Sequence, residues 1–432
     1  MRRPHAHGYC VACGRPGAGR GEGGIAAIGR LLELTCAMVL LSSLCVSCRQ
    51  DAQPGERHAE VDAGTAPTDW GWPMVQHDRL HTGRSRAQGP HAPELVWQFR
   101  TSGRIVEQPA IGPDGSALVG DLDGVLYAVD GYGRETARRR FPHSVSSTPA
   151  VCASGRVLVQ AGGILYGLSL PGLEMAWELD AGPLSAMRSP VPGDGGDVWL
   201  TSRRGRESRL LRVSEESGAL LGSYELGETA CSYPAVGDDG SVTVGGGPRK
   251  RGKLVRLASD GSPIWTMGPL KGNATRALAL GPGGSVFAGT AGDSPEALCV
   301  SSDGSVVWRS ALPADAFGCA VRPTNAVCFT CEDGSVVSYT ATGDEEWRVG
   351  VGGSLTSSPA VDARGVVYIA APDGRLVAID PKGAQLWSFA LAGPCTAGPS
   401  IDPNGRLYLG TACGDLWVVG QGGAASEGRR ET

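Results

Sequence analysis

The chain contains 432 residues, of which 66 are glycine and 19 % are charged, and its formal net charge at pH 7 is −5. Abundant glycine and few charges suit a fold rich in hairpin turns and argue against a disordered chain. The mildly acidic balance excludes the basic footprint that a nucleic-acid-binding protein needs.

The first 48 residues have the features of an export signal. Five arginines precede an apolar run from Leu31 to Ser47, and Cys48 follows it. A positive flank, a short apolar core and small residues before the cut describe a secretory signal. Because Leu44–Cys48 resembles a bacterial lipobox, we expect residues 1–48 to be a lipoprotein leader and Cys48 to be lipidated. Processing at Cys45, ordinary signal cleavage and an uncleaved anchor remain alternatives.

Residues 49–92 are expected to form a flexible tether followed by a lead-in segment. Residues 49–69 are polar and rich in Pro, Ala and Gly, as a tether between membrane and domain would be. The stretch His77–His81 holds the one histidine cluster after the leader, and no histidine follows His143. The domain therefore lacks the residues for a His-based triad or a His metal cage.

A repeat governs the rest of the chain. Eight times, Pro or a substitute is followed six residues later by Gly or Asn, then by two apolar runs and often a Trp, with steps of 40 to 44 residues. A period near 40 that contains only strand-length segments indicates β-propeller blades. The pairs are Pro109/Gly115, Pro149/Gly155, Pro190/Gly196, Pro234/Gly240, Leu278/Gly284, Cys319/Asn325, Pro359/Gly365 and Pro399/Gly405.

The turn chemistry supports the same architecture. Each glycine lies where a tight hairpin requires positive φ, and Asn325 is the usual substitute in that conformation. The repeated Pro lacks an amide hydrogen and belongs at the start of a strand. We therefore predict an all-β fold over residues 93–421, an eight-bladed β-propeller of four-stranded antiparallel blades. Residues 422–432 are expected to be a disordered tail.

The tryptophans predict how the ring closes. Five units place a Trp at the start of the fourth strand, whereas the first and third units offer Ala137–Arg139 and Gly222–Tyr224 instead. Trp97 precedes the first unit, and no equivalent follows the last. Val96–Phe99 should therefore supply the outer strand of the eighth blade, which pairs the two chain ends and removes an open sheet edge.

Two cysteine pairs are candidate disulfides. If residues 322–325 form a four-residue hairpin loop, Cys319 faces Cys328, and the same count leaves Cys395 and Cys413 within one residue of register. Cross-strand disulfides are plausible at both places, and buried thiols packed as small hydrophobes are the alternative.

The repeat wording resembles that of a known family. In Ser358–Phe389 it runs Pro-Ala-Val, Gly-x-Val-Tyr, Asp-Gly-x-Leu-x-Ala-x-Asp and Gly-x-x-x-Trp. This resembles the pyrroloquinoline-quinone (PQQ)-like repeat family over about residues 93 to 421, and Trp72–Ser85 is similar to the lead-in of many bacterial members. The resemblance implies one of two functions, quinone-dependent dehydrogenation or protein binding by a non-catalytic lipoprotein propeller such as the outer-membrane assembly factor BamB.

The dehydrogenase branch implies long loops around the quinone, a bound calcium and, in many members, a disulfide between adjacent cysteines. This sequence has no adjacent cysteines, and its connections are too short to wall off a quinone. We therefore predict no catalytic residue, no metal site and no PQQ.

We predict a monomeric, lipid-anchored scaffold in the bacterial cell envelope, in the periplasm, at the outer membrane or at the cell surface. Its partner would be an envelope protein or a glycan. A PQQ-dependent dehydrogenase and a glycan-binding surface protein are the alternatives.

Overall fold

The computed structural model describes residues 71–112, 115–182, 189–204, 207–228, 232–248 and 251–422. These residues form eight four-stranded antiparallel sheets, so the predicted eight-bladed all-β propeller is confirmed. One short 3-10 turn, Pro282–Gly284, interrupts the strands. The described part of the chain contains no helix long and apolar enough to span a membrane.

Each blade takes its strands in chain order from the axis outward, except the last. The strands are, for blade 1, β2 (Ala110–Ile111), β3 (Ala117–Gly120), β4 (Val125–Val129) and β5 (Glu135–Arg140); for blade 2, β6 (Ala150–Val151), β7 (Arg156–Ala161), β8 (Ile164–Ser169) and β9 (Glu174–Asp180); for blade 3, β10 (Val191–Pro192), β11 (Asp197–Arg204), β12 (Glu207–Ser214) and β13 (Leu220–Gly227); for blade 4, β14 (Ala235–Val236), β15 (Val242–Gly246), β16 (Gly252–Leu257) and β17 (Pro263–Leu270); for blade 5, β18 (Asn273–Leu280), β19 (Val286–Ala291), β20 (Glu296–Val300) and β21 (Val306–Ala311); for blade 6, β22 (Ala316–Val321), β23 (Val327–Cys331), β24 (Ser335–Tyr339) and β25 (Glu345–Gly350); for blade 7, β26 (Ala360–Val361), β27 (Val367–Ala371), β28 (Arg375–Ile379) and β29 (Gln385–Ala390); and for blade 8, β30 (Ser400–Ile401), β31 (Leu407–Gly410), β32 (Asp415–Gln421) and β1 (Pro93–Arg100).

Blade 8 closes the ring as predicted. The N-terminal strand β1 pairs antiparallel with the C-terminal strand β32, with Trp97 opposite Val418 and Phe99 opposite Leu416. The first and last strands of the chain thereby share one sheet, which removes the open sheet edge that could pair with other chains.

The predicted hairpin turns have the required conformation. Gly365 has φ +84° and Asn325 has φ +63°, so both occupy the left-handed backbone region that a residue with a β-carbon seldom enters. The apolar core lies between blades, because side chains of neighbouring sheets interdigitate there. Leu118 and Leu126 of blade 1, for example, pack in one cluster with Val157 and Val159 of blade 2.

The tryptophans fasten each blade to the next. In five cases the indole N–H donates to a carbonyl in the turn between the third and fourth strands of the following blade, and Trp387 donates to Pro90, just before β1. In blade 1, Arg139 donates to Leu173 O at 3.0 Å instead, and in blade 3 the ring of Tyr224 lies against Gly261. The six indole bonds are Trp97 to Gly131 (3.0 Å), Trp177 to Glu215 (2.9 Å), Trp265 to Ser302 (2.9 Å), Trp308 to Ala341 (3.0 Å), Trp347 to Pro381 (3.1 Å) and Trp387 to Pro90 (3.0 Å).

Candidate functional site

The lead-in segment closes one end of the axial channel. Its carbonyl groups accept hydrogen bonds from the last residue of the innermost strand in six blades, and they do so in blade order. We call residues Trp72–Ser85 the plug. The bonds run to the carbonyls of Trp72, Pro73, Arg79, Leu80, Thr82 and Gly83 from the amides of Ile111 (2.8 Å), Val151 (2.7 Å), Val236 (2.8 Å), Leu280 (2.7 Å), Val321 (2.7 Å) and Val361 (2.8 Å).

The plug holds an unusual backbone conformation. Gln76, His77 and His81 have φ values of +54°, +76° and +60°. A non-glycine residue in this region is strained by roughly 1–3 kcal/mol, so three within six residues persist only because the surrounding structure fixes them. The ring of inner-strand hydrogen bonds supplies that constraint.

The histidine cluster predicted from the sequence lies inside the plug. His77 Nδ1 is 3.1 Å from Asp78 Oδ2, and the amide of Thr82 donates to Asp78 Oδ1 at 3.0 Å. Burial raises the pKa of the Asp78 carboxyl, but the hydrogen bonds from His77 and Thr82 outweigh it and hold the pKa below its usual value. His81 packs edge-on against Tyr233, and burial lowers its pKa to about 4. The cluster is therefore bonded within itself and stabilises the plug.

A cavity of about 380 Å³ opens at the other end of the channel. Most of its lining residues precede the inner strands, which start at this end and finish at the plug, and Phe317 lies within β22. Val75 of the plug contributes to the lining, Tyr233 and Phe317 supply aromatic walls, and Arg104 and Glu107 bring opposite charges. The hydroxyl of Tyr233 donates to Glu107 Oε2 at 3.4 Å.

Gln76 joins the plug to this cavity. Its side-chain Nε2 donates to Ser358 Oγ at 3.2 Å, and its backbone N–H donates to Gln108 Oε1 at 3.0 Å. The side chain is fully buried, and its Oε1 has no hydrogen-bond partner among the described residues. The cavity thus combines uncharged polar groups, two aromatic rings and one pair of opposite charges.

The side chains that line the cavity do not fit the quinone cofactor that the dehydrogenase branch of the family implies. Arg104 is the one cationic side chain of the described lining, and Glu107 opposes it. A quinone that carries several carboxylates needs more positive charge than this pair offers. Within the described ranges, no group of three His, Cys, Asp or Glu side chains is arranged to hold a metal ion.

The structure corrects one cysteine prediction. Cys319 stands opposite Phe329, and Cys328 stands opposite Ala320, so the predicted direct pairing is wrong by one residue. The loop has five residues, because the amide of Arg322 donates to the carbonyl of Ala326 at 2.7 Å. Both thiols are buried, and no bond joins them in the structure.

The second cysteine pair stays a prediction. Cys395 and Cys413 are close enough that the Cys413 group contributes, after burial and Asp373, to raising the pKa of Cys395 to about 12. The structure has no bond between them. Cys48 lies outside the described residues, so its lipidation also stays a prediction.

Sequence reasoning missed the plug and the cavity. The plug acts through backbone carbonyls, which leave no residue pattern, and the cavity draws its residues from five blades. The available signal was the concentration of polar residues, including two histidines, in Trp72–Ser85.

The family comparison matches the C-terminal blades. The family model described as outer membrane protein assembly factor BamB matches residues 250–394 and 332–423. No curated protein sequence matches the chain.

Solved structures share the fold across most of the chain. BamB from Moraxella catarrhalis is 17 % identical with a TM-score of 0.63, and the match covers 76 % of this chain and 100 % of that one. Quinohemoprotein alcohol dehydrogenase from Comamonas testosteroni is 16 % identical with a TM-score of 0.67, covering 85 % and 83 %. A europium-containing methanol dehydrogenase is 11 % identical with a TM-score of 0.66, covering 82 % and 98 %. At these identities the matches establish the fold alone.

Proposed function

We propose that this eight-bladed β-propeller is an exported, lipid-anchored and non-catalytic scaffold that binds a protein partner in the bacterial cell envelope. The family model that matches its C-terminal blades is that of an outer-membrane assembly factor. The BamB structure is matched over its whole length. Both support the scaffold branch of the family.

The observation that carries the proposal is the shape of the ring. The plug fills one end of the channel, and hairpin connections within the blades have two to five residues. Short connections leave the two faces and the outer rim broad and shallow. Surfaces of this kind suit a protein partner, whereas a small substrate is usually held in a deep, largely enclosed pocket.

The experiment is cross-linking of the full chain in its own envelope. Cells expressing the tagged protein are treated with a short bifunctional cross-linker, and the membrane fraction is extracted and purified. We expect one envelope protein to be recovered in an amount nearly equal to that of the tagged chain. The same protein should also be recovered from membranes prepared without the cross-linker. Recovery of the chain alone from both treated and untreated membranes would contradict the scaffold function.

A second candidate is a quinone-dependent dehydrogenase, because two such enzymes share the fold over more than 80 % of this chain. Purified protein incubated with PQQ and calcium tests it directly. We expect no thermal shift, no stoichiometric binding and no dye reduction with alcohols or aldose sugars. A dissociation constant below about 1 µM, roughly 8 kcal/mol of binding free energy, together with turnover would establish the enzyme instead.

A further inference from the structure

Exposed apolar side chains begin the outer strands of three consecutive blades. Leu221 in blade 3 is 54 % exposed, Ile264 in blade 4 is 48 % exposed and Val307 in blade 5 is 57 % exposed. Ile264 and Val307 directly precede the tryptophans that dock on the next blade. Since successive side chains of a strand point to opposite faces, a residue before the docking Trp points away from that contact and into solvent.

The turns that lead into these strands carry carboxylates. Glu216, Asp260 and Asp303 are exposed, and none of them forms a salt bridge with any residue that the structure describes. Ser262 donates to Asp260 through its amide and hydroxyl at 2.9 and 2.7 Å. Hydrogen bonds from serines of the same turns lower the pKa of Asp260 and of Asp303. These carboxylates are therefore anionic at neutral pH, and Arg212 donates to the carbonyl of Ser259 beside Asp260 at 3.2 Å.

The same side chains that fasten the blades also fix these turns against one another. A β-carbon on Gly261 would lie 1.8 Å from Tyr224 Cε1, which shows how closely the blade 4 turn packs on blade 3. Trp265 of blade 4 donates to Ser302 O in the blade 5 turn at 2.9 Å. Three acidic turns and three apolar strand starts are thus held as one surface. We call Glu216–Leu221, Asp260–Ile264 and Asp303–Val307 the blade 3–5 rim.

A groove adjoins this rim between blades 3 and 4. It has a volume of about 470 Å³, and its lining combines apolar residues such as Tyr224, Leu257 and Pro263 with the oppositely charged Glu225 and Lys253. Apolar walls beside exposed leucine and isoleucine side chains give a partner side chain a place to be buried. Burial of apolar surface would supply affinity, and the carboxylates would select its neighbours.

Blades 6 and 7 differ from blades 3–5 in the charge of these turns. The corresponding turn of blade 7 carries Lys382 ahead of Leu386, which is 48 % exposed, the same fraction as Ile264. The corresponding turn of blade 6 carries Asp344, followed by two glutamates in place of apolar residues. The blade 7 turn also holds Asp380 beside Lys382, and the blade 6 turn has no exposed apolar group, so both blades provide controls that differ from the blade 3–5 rim.

We propose that the blade 3–5 rim is the docking surface for a basic, apolar segment of a partner protein, one in which Lys or Arg alternates with Leu, Ile or Val. The proposal rests on the scaffold function above and names the chemistry of its partner. Anionic lipid would be repelled by the same carboxylates, and so would the rim of a second copy of this chain. Charge complementarity thus favours a cationic partner.

The test uses the full mature chain and two fluorescent peptides of equal length, one alternating Lys and Leu and the other alternating Glu and Leu. Binding is followed by fluorescence anisotropy. We expect the basic peptide to bind about tenfold more tightly or better. Raising the salt from about 0.05 M to about 0.5 M should narrow that difference, since exposed charges are screened.

Two triple variants locate the site. Leu221→Ser/Ile264→Ser/Val307→Ser should weaken binding of the basic peptide by about tenfold. Glu216→Gln/Asp260→Asn/Asp303→Asn should weaken it as well and abolish its salt dependence. The control Asp344→Asn/Leu386→Ser removes one acid and one equally exposed apolar group elsewhere, and it should bind as the wild type does. Thermal melts check that all three variants are folded.

The proposal is overturned if the acidic peptide binds equally well or if the control variant loses as much affinity as the rim variants. The envelope cross-linking experiment separates it from the scaffold function. A partner that is still captured by both rim variants would leave the scaffold standing and place its interface elsewhere.

Discussion

Trp387 donates its indole N–H to the carbonyl oxygen of Pro90 at 3.0 Å, across the junction of blades 7 and 8. In the other blades the acceptor lies in the turn between the third and fourth strands of the next blade. The third and fourth strands of blade 8 come from opposite ends of the chain, so Pro90, just before β1, takes the place of that turn. The indole hydrogen bond that joins other neighbouring blades therefore also joins blade 7 to the blade that closes the ring.

This bond predicts a difference between two tryptophans. Trp387→Phe should lower the free energy of unfolding by about 1 kcal/mol more than Trp417→Phe. Both rings are partly buried in the same cluster, but Trp417 Nε1 has no hydrogen-bond partner among the described residues. Urea titration of both variants measures the difference. Equal midpoints would show that the indole bond to Pro90 contributes nothing to closure.

Ring closure also predicts the effect of truncation. A chain that starts at Gly103 lacks β1 and leaves an open edge on blade 8, so it should aggregate or lose cooperative unfolding. A chain that starts at Ala92 keeps β1 and should stay folded, although it lacks the plug and should melt below a chain that starts at Gly71. Thermal melts of the three chains test this order. Identical melts for the starts at Gly103 and Ala92 would refute closure by strand pairing.

The turn glycines separate backbone strain from steric clash. Gly365 has φ +84°, and a β-carbon there would lie no nearer than 3.5 Å to another residue. Gly365→Val should therefore cost on the order of 1–3 kcal/mol through its backbone alone. In Gly405→Ala the new carbon would lie 1.9 Å from Gln88 O, so this variant should lose more stability. Asn325→Gly should be neutral or mildly stabilising, and denaturant titration ranks the three.

The sequence predicted the features that a single residue type determines. The turn glycines, Asn325 and the tryptophans each report a local requirement, so the blades, their number and the closing strand could be inferred. Even the replacements for Trp were visible, since Arg139 and Tyr224 make the contacts that the missing tryptophans would make. These features repeat every blade, which reinforces a weak signal eight times.

Other features depend on geometry that a residue count does not reveal. Cys319 and Cys328 miss each other because the loop after Val321 has one more residue than assumed, and one residue reverses the face of every side chain. The plug follows the inner strands through its backbone carbonyls, whatever side chains it carries. The cavity gathers residues that are far apart in the chain, such as Glu107 and Phe317.

The buried histidine of the plug predicts a pH dependence. His81 faces Asp78 of its own segment, Tyr233 of blade 4 and the backbone of Leu278 in blade 5. Burial lowers its pKa to about 4 from its usual value of 6.5. Between these values the unfolded chain binds a proton and the folded chain does not, so stability falls as the pH is lowered from about 6.5 towards about 4.

The loss should reach up to roughly 3 kcal/mol, because each unit of pKa difference corresponds to about 1.4 kcal/mol. His81→Leu removes the titrating group and should flatten the dependence in this window. Urea midpoints measured at a series of pH values compare the two proteins. Parallel curves for wild type and variant would show that His81 does not remain neutral in the folded state.

The anchor prediction concerns Cys48, which follows the apolar part of the leader. If Cys48 is lipidated, radiolabelled fatty acid should be incorporated by the wild type and not by Cys48→Ser, because the thiol is the acceptor. A thioether-linked lipid adds about 0.8 kcal/mol of membrane affinity per buried methylene group. The Cys48→Ser protein should therefore move from the membrane fraction to the soluble fraction, which immunoblotting detects. Cys45→Ser is the matched control, and label lost in that variant but retained in Cys48→Ser would move the modified residue to Cys45.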